Sequence, residues 1–140
     1  MVRKAYDKEL ALLNSKLIDM GNMCVDGIDY AIEGLFNPCD MDNLVQDVHV
    51  IEKETDRIES DIEDMCMKLI LRQQPVARDL KVITAAMRMV ADMERIGDQV
   101  ADIVDIAKKI EKQTLGGETH IKEMAVETKN MIINLSLIHI

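Results

Sequence analysis

Aromatic residues, proline and long apolar runs are scarce in this sequence. Aromatic residues make up 2% of its 140 residues, Trp is absent and Pro occurs twice. No window alternates polar and apolar residues as a half-buried strand does. No uninterrupted apolar run approaches the roughly 20 residues that a membrane span needs. A core built mainly from Leu, Ile, Val, Met and Ala, with few aromatic residues, suits helices better than sheets, so the sequence predicts an all-α fold.

Basic charge and reactive cysteine patterns are scarce as well. The formal net charge is −9, which argues against nucleic acid as a partner and against docking on an anionic membrane. The three cysteines show no CxxC spacing, and Cys24 and Cys66 fall where helical core residues are expected. The chain opens directly into the charged stretch "VRKAYDKEL", without the apolar segment of a secretion signal, so we expect a cytoplasmic protein.

Apolar residues spaced three and four apart predict four helical segments. They are expected at about residues 6–35, 41–72, 76–112 and from 118 onward, separated by Pro38, Pro75 and the Gly116–Gly117 pair. Three long helices with short turns predict an antiparallel bundle, in which the fourth segment has no partner within the chain. The predicted domains are residues 1–114, the bundle, and residues 115–140, a linker with the first part of a second, truncated bundle.

Carboxylates are concentrated on one face of the second helix and one face of the third. On the second, an arc of about 60° holds Glu52, Asp56, Glu59 and Glu63. On the third, an arc of about 80° holds Glu94, Asp98, Asp102 and Asp105. The acids of the third helix flank an apolar seam formed by Met93, Gly97 and Val100.

The turn between these helices sets which acids face each other. A turn centred near Gln73–Gln74 would place Glu52 opposite Arg95 and His49 opposite Asp98, because both helices rise equally per residue. We therefore predict that the pair Glu52/Asp56 lies level with the pair Glu94/Asp98.

Two interpretations of the acidic faces remain open. Such faces are usually solvated and relieved by nearby cations, and the first helix has a similar stripe of Asp26, Asp29 and Glu33. Here the relieving cations would be Lys53, Arg57 and Arg95. Alternatively, two acidic pairs at one level form an oxygen-rich surface site for Mg²⁺, Ca²⁺, Mn²⁺ or iron, whose charge would remove the repulsion between the carboxylates.

Other site chemistries lack their residues. The Cys and His positions form no tetrahedral zinc set, and no His is preceded by Glu at the Glu-x-x-His spacing of di-iron bundles. We interpret His49 as an ordinary surface residue that could join the acids of the second and third helices. No nucleophile–base pair or Gly-rich phosphate loop is visible, so we expect no enzymatic activity.

Two stretches resemble the PhoU family of phosphate-signalling proteins. They are "ELALLNSKLIDMGNM" on the first helix and "MCMKLILRQQPVARDLKVITAAMRMVADMERIGDQVADI" on the second and third. The run "RQQPVARDL" followed by "MERIGD" is the most specific part, and the similarity covers roughly residues 4–110. It implies a fold of two three-helix bundles, arranged like spectrin repeats, of which this chain would hold the first and the start of the second.

The resemblance also implies a metal site. Family members carry paired acidic ExxxD motifs that bind multinuclear metal clusters on the bundle surface. The matching positions are Glu94 and Asp98, with Glu52 and Asp56 as the partner motif and Asp102 just beyond. The implied cofactor is a cluster of divalent or trivalent ions, namely iron, manganese or magnesium, which zinc or nickel could replace in a crystal.

The function implied by the resemblance is regulation of phosphate signalling and uptake. The protein would be an adaptor between the ATPase of a phosphate ABC transporter and a sensor histidine kinase, and it would restrain the phosphate-starvation response. Homo-oligomers are expected, whereas nucleic acid binding and membrane insertion are not. The alternative is a structural helical interaction module whose acidic stripes bind no specific metal.

Overall fold

Four helices account for most of the chain. The computed structural model describes residues 2–37, 40–73, 75–109 and 118–138, and these residues contain no strand. The helices are α1 (Val2–Phe36), α2 (Met41–Gln73), α3 (Ala77–Lys109) and α4 (Glu118–Ile138). The predicted all-α fold is confirmed. Pro38, the Gly116–Gly117 pair and the predicted end of the third helix near Lys112 lie outside the described residues.

The start of α2 has a side-chain cap. Asp40 precedes the helix, and its Oδ1 accepts a hydrogen bond of 3.2 Å from the backbone N–H of Asn43. Its Oδ2 accepts a second bond of 2.7 Å from the amide of the same residue. The first bond satisfies a backbone donor that the first turn of a helix leaves without a partner, so Asp40 caps the start of α2.

The core lies between α1, α2 and α3. It is formed by the apolar residues at three- and four-residue spacing, including Leu13, Leu17, Met20, Val48, Ile62, Leu69, Ile83, Val90 and Val104. Cys24 and Cys66 are both fully buried, as predicted. Burial raises the pKa of the Cys24 thiol to about 12 and that of Cys66 to about 11, so both remain neutral core residues.

The fourth helix does have a partner, so the expectation that it would pair with nothing in this chain is wrong. It packs antiparallel on α1: Lys129 Nζ lies 2.6 Å from Asp29 Oδ1, and Lys122 Nζ lies 5.3 Å from the ring centre of Phe36. Ile132 is buried at this contact. Helical spacing does not predict this pairing, because α1 uses a second face for it, away from α2 and α3.

None of the described helices contains a stretch that is both long enough and apolar enough to cross a membrane.

Candidate metal centre

Three of the predicted site residues converge where α2 faces α3. One carboxylate oxygen from each of Asp56, Glu94 and Asp98 can be chosen so that all three lie within 4.8 Å of one another. Asp56 is exposed, and the other two side chains are half-buried. The three acids therefore form a surface cluster between two helices, which we call the acidic cluster.

The acidic cluster sits at the edge of the core because each helix turns a buried residue inward beside it. On α2, the fully buried Thr55 precedes Asp56. On α3, the buried Gly97 separates Glu94 from Asp98. Since neighbouring positions on a helix are 100° apart, the acids emerge beside the interface and point towards each other across it.

The pKa of Glu94 reflects the convergence of the three acids. Its pKa is raised from the ordinary 4.5 to about 8, first because the protonated side chain hydrogen-bonds to Asp56. Partial burial, a hydrogen bond to Asp98 and the negative charges of Asp98 and Glu59 raise it further. Glu94 therefore gives up its proton less readily than an isolated carboxyl group, because the adjacent carboxylates stabilise its protonated form and repel its charged form.

Glu59 is a neighbour of the acidic cluster that the sequence prediction did not select. Its pKa is raised by partial burial and by repulsion from Glu63, Asp56 and Asp98. The signal was present, because Glu59 lies in the same 60° arc as Asp56. The paired ExxxD spacing drew the prediction to Glu52 instead.

Glu52 and His49 lie elsewhere on the interface, in a register that differs from the predicted one. Glu52 Oε2 is 3.2 Å from His49 Nδ1, and His49 Nε2 is 3.1 Å from Asp105 Oδ1. The sequence predicts His49 opposite Asp98, which lies about two turns earlier on α3. About half of this difference arises because α2 continues through Gln73 and α3 begins at Ala77, so the connection between them is centred later than the prediction assumes.

Asp102 is exposed one turn beyond Asp98, and it does not belong to the acidic cluster. The structure thus brings together three of the five predicted ligands, while Glu52 and Asp102 remain outside this group. Their assignment as ligands stays a prediction.

Basic side chains that would relieve a solvated acidic face turn away from the acidic cluster. Arg57 pairs with Glu54 at 2.9 Å and with Asp61 at 3.0 Å, and Arg95 lies 3.7 Å from Asp92. Among the described residues, no Lys or Arg forms an ion pair with a carboxylate of the acidic cluster.

The donor set fits a hard cation. Three carboxylates from two helices offer only oxygen ligands, which is the chemistry that Mg²⁺, Mn²⁺, Ca²⁺ and iron prefer. No sulfur is present in the group, and His49 faces Glu52 and Asp105 instead. The arrangement can hold positive charge, and it presents no nucleophile with a matching base.

Fold and site together define a class: an all-helical bundle that displays acids from two antiparallel helices as a surface cluster. The chain belongs to the PhoU domain family, which matches residues 17–107. The resemblance inferred from the sequence is confirmed.

Curated relatives span most of the chain. It is 37% identical to a phosphate-specific transport system accessory protein PhoU homolog of Clostridium acetobutylicum, over 94% of this chain and 60% of the relative. Homologs of the same name from Aquifex aeolicus and Pseudomonas putida are 32% and 26% identical, over 89% and 94% of this chain and 56% and 51% of their own lengths. The chain thus spans about half the length of these relatives. No solved structure matches the chain.

Proposed function

We propose that this chain supplies a metal-binding bundle of a phosphate-responsive regulator that acts by contact with other proteins. The observation that carries the proposal is the convergence of Asp56, Glu94 and Asp98 without a basic partner, in a member of the PhoU family. The relatives named above are accessory proteins of a phosphate-specific transport system, which supports the phosphate half of the proposal.

In the proposed site, Asp56 provides a ligand from α2, and Glu94 and Asp98 provide two from α3. Bound iron, manganese or magnesium ions would supply the positive charge that this group of acids lacks. Glu94 loses its proton on binding, because a carboxylate must be ionised to act as a ligand. Glu52 and Asp102 are proposed to extend the ligand set when more than one ion is held, and Glu59 adds negative charge beside it.

The proposed regulatory role is that of a cytoplasmic adaptor. It would link the ATPase of a phosphate ABC transporter to a sensor histidine kinase and hold the starvation response in check. Metal binding at the acidic cluster changes the charge of an exposed surface, and surface charge controls both the encounter rate and the choice of partner. Association of the chain with itself belongs to the same proposal.

Elemental analysis combined with thermal melts tests the metal half. The purified chain is expected to retain a transition metal or to gain several degrees in Tm with Mn²⁺, and Asp98→Ala should remove that gain. Asp26→Ala on α1 is the matched control, since it removes an exposed acid outside the cluster. A chain that binds no metal, with melts in Mn²⁺ that are the same for wild type and Asp98→Ala, would contradict the proposal.

Pull-down with the transporter ATPase and with the cytoplasmic part of the kinase tests the partner half. The chain and a full-length relative are used as baits in parallel, each with and without Mn²⁺. Capture of the ATPase by both baits is the expected result. If the full-length relative captures neither protein, the adaptor role is wrong.

A further inference from the structure

The two helices that carry the acidic cluster approach each other very closely at one point. A Cβ atom built on Gly97 would lie 2.6 Å from Thr55 Oγ1, 3.4 Å from Thr55 Cβ and 3.5 Å from Thr55 Cγ2. The first distance is well inside the roughly 3.5 Å at which heavy atoms pack without repulsion. The observed separation of α2 and α3 at this level therefore requires glycine at position 97.

Thr55 cannot move aside easily to admit a larger residue. It is fully buried, and its hydroxyl donates a 3.0 Å hydrogen bond to the backbone carbonyl of Glu52. A β-branched side chain on a helix has few accessible rotamers, so turning the hydroxyl away would break this bond or push the methyl group into the same space. Thr55 is thus a rigid spacer on α2 that meets a gap on α3.

The contact lies at the level of the acidic cluster. Asp56 follows Thr55 directly, and Glu94 and Asp98 lie on either side of Gly97 along α3. Carboxylate oxygens of Asp56, Glu94 and Asp98 lie within 4.8 Å of one another across the interface, and this proximity depends on the separation of the two helices.

We propose that Gly97 and Thr55 are positioning residues that set the α2–α3 separation at which Asp56 can share a cation with Glu94 and Asp98. This inference rests on the proposed metal site. It makes two residues that lie outside the proposed ligand set responsible for the distance between ligands on different helices. Binding sites tolerate errors of only about 0.5 Å in ligand placement, so a methyl group at position 97 is enough to disturb it.

Gly27 provides a control that distinguishes this positioning role from ordinary close packing. Gly27 on α1 is also tight, since an added Cβ would lie 3.1 Å from Val100 Cγ1 on α3. That contact involves apolar atoms and a different pair of helices. Gly27→Ala is therefore a matched control that strains the bundle without separating α2 from α3 at the acids.

The test compares wild type, Gly97→Ala, Thr55→Ala/Gly97→Ala and Gly27→Ala. Mn²⁺ affinity is measured by titration calorimetry, and Tm is measured without metal. We expect Gly97→Ala to weaken Mn²⁺ binding about 10- to 100-fold, the range found for residues that orient metal ligands. The double variant should recover most of this loss, because removing Oγ1 and Cγ2 leaves the Thr55 Cβ position 3.4 Å away, an ordinary contact.

Gly27→Ala is expected to lower Tm while keeping Mn²⁺ affinity within about twofold of wild type, because its close contact lies between α1 and α3 and not between α2 and α3. Two results would overturn the proposal: wild-type affinity in Gly97→Ala, or no recovery in the double variant.

A metal-free crystal structure of Gly97→Ala decides the matter even if wild type binds no Mn²⁺ and the proposed function fails. The inference requires the carboxylates of Asp56 and Glu94 to be about 1 Å further apart than in wild type, the difference that restores an ordinary contact; an unchanged distance would overturn it.

Discussion

On α1, Asp29 meets a cation, because α4 places Lys129 Nζ 2.6 Å from its Oδ1. Between α2 and α3, Asp56 meets two further carboxylates, and the nearby arginines are engaged on other acids. Both surfaces begin as acidic stripes of similar spacing. The first stripe is relieved by a helix from elsewhere in the chain, whereas in the second a partner helix adds negative charge.

This comparison shows which property of an acidic stripe indicates a cation site. A stripe on one helix can spread its charge into solvent or recruit a basic side chain. Acids that converge from two packed helices have neither option, because the backbones hold them together. The raised pKa of Glu94, caused first by its hydrogen bond to Asp56, is the direct consequence.

The largest predicted effect comes from placing a lysine in the acidic cluster, as Lys129 is placed beside Asp29. Asp56→Lys would place an ammonium group beside Glu94 and Asp98. At a Mn²⁺ concentration of about 100 times the wild-type Kd, wild type should gain about 2.7 kcal/mol in free energy of unfolding, and the variant should gain nothing. Without metal, the variant should melt above wild type at pH 8.5, because an attraction replaces a repulsion.

Thermal melts with and without Mn²⁺ measure both effects of this substitution. Asp56→Asn is the control: it removes a ligand without adding a cation, so it should lose the metal effect with less metal-free stabilisation. A metal-free Asp56→Lys protein that melts below Asp56→Asn at pH 8.5 would show that the cluster is not under electrostatic strain.

A smaller effect is expected from pH, with a defined sign. The pKa of Glu94 is about 8 in the folded chain and ordinarily 4.5, so the folded state keeps a proton that the unfolded state releases in between. The resulting stabilisation is complete below pH 4.5 and is lost as the pH rises to about 8. The metal-free free energy of unfolding should therefore fall across this window, and less so in Glu94→Gln, which is neutral throughout.

Denaturant titrations of metal-free wild type and Glu94→Gln at pH 5, 7 and 8.5 measure this difference. In the same range, Mn²⁺ affinity of wild type should rise with pH, because binding must displace the Glu94 proton. Parallel pH dependence in the two proteins would mean that Glu94 ionises normally.

Sequence periodicity was sufficient to predict the helices but not to predict how they pair with one another. Spacings of three and four identified α1, α2 and α3 to within a few residues, and the acidic arcs contained every member of the acidic cluster. The register depends on where the connection between α2 and α3 is centred. Moving that centre from Gln73–Gln74 towards Pro75 shifts the facing residues on α3 by about one helical turn. Partners that meet across distant segments, such as Thr55 with Gly97, depend on that register and were out of reach.

The same limit explains the pairing of α4. Its apolar residues Met124, Val126, Met131 and Ile132 predict a helix, yet the first three are exposed, and the contact with α1 uses Ile132 together with two lysines. A pattern of spacing identifies which residues share a face, but it does not identify what that face will meet.

The smallest predicted effect comes from removing the ion pair between Asp29 on α1 and Lys129 on α4. Asp29 is 56% exposed and Lys129 is 26% exposed, so solvent screens their attraction. Asp29→Asn should therefore cost at most about 1 kcal/mol in free energy of unfolding, as exposed ion pairs do. Its effect should appear in hydrogen exchange of α4 amides, and Mn²⁺ affinity should stay as in wild type. If Asp29→Asn instead weakened Mn²⁺ binding as strongly as Asp98→Ala, the two acidic surfaces would be equivalent, and convergence of two helices would not be what creates the site.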